Sequence, residues 1–221
     1  MPAHVTPYNP PNTEIEVIYI DSDVIAVNKP AGLLSVPGRG ADKQDCLITR
    51  LQQQYPEALT VHRLDMPTSG IILFARSANC HKQLSIQFQE RKVSKTYTAI
   101  VEGIVQSQQG EVNAPLITDW PNRPKQKIDF ENGKPSLTRY KVISQNTVDN
   151  STRLSLTPVT GRSHQLRVHM LSIGHIIVGD MLYTSENHPT ANTRLMLHAN
   201  KISFEQPGSK KCINLECPPE F

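Results

Sequence analysis

The stretch HRLDMPTSG, residues 62–70, places a histidine, an arginine and an aspartate within four positions, then breaks into small, turn-forming residues. Asp65 stands just before Pro67, Ser69 and Gly70, and the apolar run GIILFAR follows. That order predicts a carboxylate held at the mouth of a buried strand. A nucleophile and a general base both need a carboxylate held that way. An aspartate that merely caps its own turn has the same local sequence. A second cluster, TGRSHQLRVHM at 160–170, crowds Arg162, His164, Gln165, Arg167 and His169 together. At the start of a helix, free backbone N–H groups and the dipole also favour an anion. Arg162 and Arg167 are too far apart in sequence to share one face of a regular helix. A solvated basic helix face is the plainer alternative. Two histidines at i, i+5 do not match the i, i+4 zinc pattern, so metal ligation is not expected.

DWPNRPKQKIDFENGKP sets Arg123, Lys125, Lys127 and Lys134 beside the only tryptophan, Trp120. Basic residues next to an aromatic suit an RNA-contacting loop, or a surface loop stiffened by proline. Tyr97 in KTYTAIVEG faces away from Thr96 and Thr98 if that segment is a strand, as its β-branched alternation predicts. A core tyrosine is the ordinary reading of such a position.

There is no Gly-rich phosphate loop, Gly-x-Ser-x-Gly elbow, paired-carboxylate or zincin pattern. The four cysteines, Cys46, Cys80, Cys212 and Cys217, form no Cys-x-x-Cys pair and read as free thiols of a reducing cytoplasm. No metal and no cofactor are expected. What remains is one carboxylate, several arginines and a tyrosine acting on a polyanion. The formal net charge of +3 is too small to identify that polyanion, so local clusters must do so. No signal peptide opens the chain, and no apolar run approaches the ~18 residues of a membrane span. A cytoplasmic protein without membrane attachment is expected.

The elements that must position these residues follow from hydrophobic periodicity. The 221 residues, 38% hydrophobic and 19% charged, suit a globular chain with a sizeable core. Residues 1–13 hold four prolines and predict a loose leader, with one catalytic domain over 14–221. EIEVIYIDSDVIAVNKPAG predicts two strands around Asp21-Ser22-Asp23, and DCLITRLQQQYP an amphipathic helix stopped by Pro56. SANCHKQLSIQFQERK predicts a helix with Leu84 and Phe88 on one face. LTRYKVISQ and TRLSLTPVTG predict a hairpin around Asp149-Asn150. SHQLRVHMLSIG predicts a helix ending at Gly174, and RLMLHANKISF a final long strand. Segment 119–136 is the only candidate hinge. The fold class is α+β, with a central mixed, mostly antiparallel sheet flanked by helices and loops.

These pieces resemble the RluA family of RNA pseudouridine synthases. HRLDMPTSG resembles its His-Arg-Leu-Asp-x-x-Thr-Ser-Gly signature, NKPAGLLSVPG its N-terminal motif and KTYTAIVEG its Lys-x-Tyr-x-Ala strand. GRSHQLRVHM resembles its Gly-Arg-x-His-Gln-x-Arg-x-His motif, and RLMLHA its Arg-Leu-x-Leu-His-Ala strand. The motifs occur in family order. DWPNRPKQK, GKP and the short length resemble members without an S4-type RNA-binding domain, and none is expected here. The resemblance implies the pseudouridine synthase fold, with an active-site cleft across the middle of the sheet. It implies that Asp65 is the catalytic aspartate, Tyr97 the active-site tyrosine and Arg167 the basic partner of the aspartate. Arg63 matches the position that helps flip the target base. The RNA contacts expected alongside it are His62, Arg123, Lys125, Lys127, Arg162, His164 and Gln165. Structured RNA, in stem-loops of ribosomal RNA and of a tRNA anticodon arm, is the implied partner, and the chain is expected to act as a monomer. A non-catalytic RNA-binding or RNA-folding protein of the same fold, and a metal-free RNase, are the alternatives.

Overall fold

The computed structural model describes residues 8–184 and 193–221. The chain runs β1 (Glu16–Ile20), β2 (Val24–Lys29), α1 (Leu47–Leu51), β3 (Leu59–Thr60), β4 (Ser69–Ala75), α2 (Ala78–Gln89) and β5 (Ser94–Glu102). It continues through β6 (Gln109–Asn113), β7 (Leu116–Thr118), β8 (Gln126–Ile128), β9 (Leu137–Asn146), β10 (Ser151–Pro158), α3 (Gln165–Ser172), β11 (Leu197–Glu205) and β12 (Cys212–Glu216). Ten strands form one sheet with the path β1-β2-β4-β11-β5-β10-β9-β6, to which β3 adds on β4 and β12 on β11. All of its pairings are antiparallel except β4 with β11. β7 and β8 make a separate two-stranded ribbon.

The continuous apolar run of β4 is explained by burial on both faces. Ile72 and Phe74 join the cluster under α1, while Ile71, Leu73 and Ala75 join the cluster under α2. β2 divides the same way, with Ile25 and Val27 to one side and Val24 and Ala26 to the other. Each fully buried side chain of this size stabilises the fold by about 1.5–3 kcal/mol, so β2 and β4 are the rigid centre of this half. β10 instead alternates, burying Leu154 and Leu156 against Leu166 and Met170 of α3 in a third cluster.

Several expectations need correction. Of the leader expected over 1–13, residues 1–7 lie outside the described residues, and 8–13 are docked rather than loose. The Tyr8 hydroxyl donates to Asp45 O and accepts from Leu34 N, and Arg50 Nη1 donates to Pro11 O. The helix predicted at 45–56 is a short one, Leu47–Leu51, because the chain turns before Pro56 while Tyr55 still packs on the same core. β11 is not the last strand: Gln206–Lys211 turn the chain back so that β12 covers its edge. The candidate hinge contains β8, held to β7 by main-chain pairing.

Candidate active site

The site lies where β4, β11 and β5 meet. β4 and β11 run in parallel for only two residue pairs, Ser69 with His198 and Gly70 with Ala199. Gly70 adopts φ 109°, and a Cβ there would strike the Ala199 backbone. Glycine thus lets the two halves of the sheet close just where the Asp65 turn enters β4. Beside this seam opens a cleft of about 1020 Å³. Six arginines and one lysine line it, and Asp65 is the only carboxylate among its described lining residues.

The N-terminal motif NKPAGLLS is the clamp for this turn. Thr68 N donates to Asp65 O (3.1 Å), closing the turn. Gly32 N donates to Met66 O at 2.9 Å, and Ser35 Oγ donates to Leu64 O at 2.7 Å. Lys29, fully buried, donates all three ammonium N–H groups: to Leu33 O at 2.7 Å, Pro30 O at 2.9 Å and Met66 O at 3.0 Å. Burial pushes the Lys29 pKa down to about 7, against the attraction of Asp65. Its signals in sequence were its place at a strand end and within the NKPAGLLSVPG motif, neither of which gave it a role. Lys29→Met keeps the side-chain length but leaves the Pro30 and Leu33 carbonyls unpaired and Met66 O with Gly32 N alone. Unfolding stability is expected to fall by about 1–3 kcal/mol. Turnover should fall by about tenfold or more with the turn mispositioned. Denaturant melts and single-turnover rates check both, and an unchanged turnover rate would remove Lys29 from the positioning role.

Arg167 enters from the first turn of α3, with its side chain 4% exposed. Its Nη1 lies 3.5 Å from Asp65 Oδ2, too long for a strong hydrogen bond but close for two charges. Its other nitrogens are committed elsewhere. Nε donates to Asp180 Oδ2 at 2.8 Å and Nη2 to Asp180 Oδ1 at 2.6 Å, a planar two-pronged pair. Asp180 is buried, and sequence reasoning missed it; Gly179-Asp180 reads locally as an ordinary turn. Tyr183 was missed too. Its ring lies under the Arg167 guanidinium at 5.1 Å, and its hydroxyl meets His164 Nδ1 at 2.9 Å and accepts from Gln126 N on β8 at 2.9 Å. Burial pushes the Tyr183 phenol up to about 12. His164 Nε2 stands 3.9 Å from Asp65 Oδ2. Burial and the Arg167 charge lower the His164 pKa, with Asp65 and Asp180 opposing, so the ring belongs to the neutral polar frame.

Tyr97 projects into the cleft from β5, where Ala199 and Leu156 are its neighbours across the sheet. Burial, and then the charge of Asp65, raise its phenol pKa, which disfavours the phenolate as a base. Arg63 is exposed at the rim of the same cleft, and Arg162 and Arg123 also reach it. The Arg123 guanidinium stacks 4.6 Å over the exposed Trp120 ring. Lys125 and Lys127 do not line the cleft. His62 and Gln165, two further expected RNA contacts, do line the cleft, and each is also tied into the fold. His62 Nε2 accepts from Leu73 N at 2.9 Å, its ring stacks on Phe88, and burial followed by the Lys95 charge drives its pKa to about 3. It offers RNA no cation. The Gln165 amide spends every bond internally: its oxygen accepts from Thr160 Oγ1 and Arg162 N, and its nitrogen donates to Leu137 O and Thr138 Oγ1. Two acceptor positions and two N–H groups are all that a glutamine has. It therefore pins the loop before α3 to β9.

The family profile described as RNA pseudouridylate synthase matches residues 23–172. The chain is 46% identical over 215 residues to the dual-specificity RNA pseudouridine synthase RluA of Escherichia coli strain K12, covering 97% of this chain and 98% of that protein. It is 50% identical over 218 residues to the RluA of Vibrio cholerae, covering 98% and 88%. Among solved structures, human RNA pseudouridylate synthase domain containing 1 superposes with a TM-score of 0.81 at 28% identity, over 96% of this chain and 87% of that one. The chain therefore belongs to the RNA pseudouridine synthase family and is an isomerase of uridine in RNA.

Proposed function

We propose that this isomerase modifies uridines in stem-loops of both large-subunit ribosomal RNA and the tRNA anticodon arm, with Asp65 as its catalytic carboxylate. The observation that carries the reading is the placement of Asp65, a lone carboxylate on a clamped turn in a cleft of arginines, 3.5 Å from Arg167. Dual specificity is supported by the relatives of that name at 46% and 50% identity.

The N1–C1′ bond of uridine breaks, the uracil turns, and C5 bonds to C1′. C5 gives up its proton to solvent and N1 gains one, so no redox partner or cofactor is needed. Asp65 attacks C1′, removes a proton from the sugar on a glycal route, or attacks uracil C6; all three start from the same carboxylate. Arg167 supplies the positive charge beside it, and Asp180 aims Arg167. The target base leaves its stack at a cost of a few kcal/mol. The planar guanidinium of Arg63 takes the vacated place. The Tyr97 ring stacks on the flipped uracil and acts as a neutral phenol. Arg162 and the Trp120–Arg123 pair, with Lys125 and Lys127 beyond the cleft, hold the RNA backbone, so affinity falls steeply with salt. The protein works as a monomer in the cytoplasm, through one catalytic domain.

Chemical mapping of pseudouridine in ribosomal RNA and tRNA from a strain lacking the gene tests this. Loss of signal is expected in both RNA classes, restored by the wild-type gene. Loss in one class alone reduces the reading to single specificity, and no loss in either overturns it.

A further inference from the structure

We propose that Lys95 forms a phosphodiester subsite in the cleft, taking an RNA backbone phosphate next to the flipped uridine. The proposal rests on the RNA-isomerase reading and adds a binding residue to it. Lys95 lies two positions before Tyr97 on β5. Residues i and i+2 of a strand project to the same face, about 7 Å apart, and both line the cleft. If Tyr97 stacks on the extruded base, Lys95 stands one short step along the strand, where the backbone of that nucleotide must pass.

The surroundings of Lys95 are those of a waiting cation. Its Nζ sits 5.7 Å over the Phe88 ring, and Phe88 stacks on His62 with centroids 4.5 Å apart. The stem thus rests on an aromatic shelf with the ammonium turned to the cleft. Across from it runs the loop before α3, where even a Cβ on Gly161 would stand 3.7 Å from Nζ. His62 in the shelf is neutral, so no second cation competes there.

No carboxylate pairs with Lys95 among the described residues. The surface lysines Lys92, Lys201 and Lys210 each face a glutamate, and buried Lys29 is satisfied by three carbonyls. Asp65, the one carboxylate among the described cleft residues, faces Arg167. Burial, with nothing to offset it, lowers the Lys95 pKa. An ammonium held in a partly desolvated place without a counter-charge is costly to the free protein. A phosphodiester entering the cleft removes that cost, and RNA supplies one at every nucleotide.

The test uses Lys95→Met, which keeps a straight stem on Phe88, and Lys95→Arg, which keeps the charge. Both are placed in an Asp65→Asn background so that the RNA is not turned over. Binding of a transcribed tRNA anticodon stem-loop is measured across a series of KCl concentrations. Lys95→Met should bind about tenfold more weakly at low salt, and its log–log salt slope should be shallower by about 0.7. Lys95→Arg should recover the slope. Lys95→Met should melt no lower than its parent, since it sheds an uncompensated charge, keeps the stem on Phe88 and loses only the weak attraction of the ammonium to that ring. An unchanged salt slope in Lys95→Met overturns the proposal, as does a lower melting temperature with binding intact, which marks a structural lysine. Tritium release by the otherwise wild-type enzyme judges the isomerase reading separately, and a parent that binds no stem-loop overturns both.

Discussion

Asp65→Asn should abolish release of tritium from RNA labelled at uridine C5 while leaving RNA binding intact. The drop is expected on the order of 10⁴-fold or more, the scale seen when an enzyme loses the group that meets the reacting atom. The fold should survive, because the bond that closes the turn is made by the Asp65 main-chain carbonyl and not by its side chain. Lys29, Gly32 and Ser35 likewise grip the backbone of Leu64 and Met66. Affinity should hold or rise slightly, since the substitution removes a negative charge from a cleft that six arginines and a lysine line. Tritium release and filter binding on the same RNA separate the two effects. Wild-type release by the variant would end the assignment of Asp65, and RNA chain cleavage by the wild type would favour nuclease chemistry.

The second large effect is expected from Asp180→Asn, a change at a residue that does not contact the cleft. The Asp180 side chain is 0% exposed and receives two short bonds from Arg167. An asparagine turns an N–H group toward a guanidinium that can only donate, and removes the negative charge. Breaking one side of a buried pair typically costs about 3–5 kcal/mol, because the remaining charge stays buried. The melting temperature should fall accordingly. Arg167 also has a second carboxylate nearby, Asp65 at 3.5 Å. Freed from Asp180, the guanidinium is expected to close on Asp65 and occupy the oxygen that must reach the nucleotide. Single-turnover rates should then fall by at least about 100-fold, a loss of roughly 2.7 kcal/mol in transition-state stabilisation. Affinity for RNA should change little. Measured below the variant's own melting temperature, a wild-type rate would show that Asp180 supports the fold and not the chemistry.

Much of this fold was legible because its signals are local. The two-sided burial of β4 shows as an uninterrupted apolar run, the β9–β10 hairpin as two alternating segments around Asp149-Asn150, and α3 as a run that stops at Gly174. β12 was not picked out although Ile213 and Leu215 alternate with polar neighbours, because it is only five residues long and is stabilised by pairing along the edge of β11. Nor was the docking of residues 8–13, which depends on Leu34, Asp45 and Arg50 far along the chain.

The site divides in the same way. The sequence by itself determined the identity and local setting of Asp65, the turn that follows it, the basic clusters and the ordered motifs of the family. Residue type and short spacing suffice for those. Only the tertiary structure decided which polar groups are free to act. His62 and Gln165 line the cleft as their sequence setting suggests, yet Nε2 of the first is taken by a main-chain N–H and the whole amide of the second by internal partners. Lys29 shows in sequence only as one member of a motif and Asp180 as a turn residue, yet one holds the Asp65 turn and the other aims Arg167. The physical reason is that a polar side chain is defined by its partners once water is excluded. Those partners come together only when β4, β11, β5 and α3 converge, and that convergence is written in long-range pairing, not in any single stretch of chain.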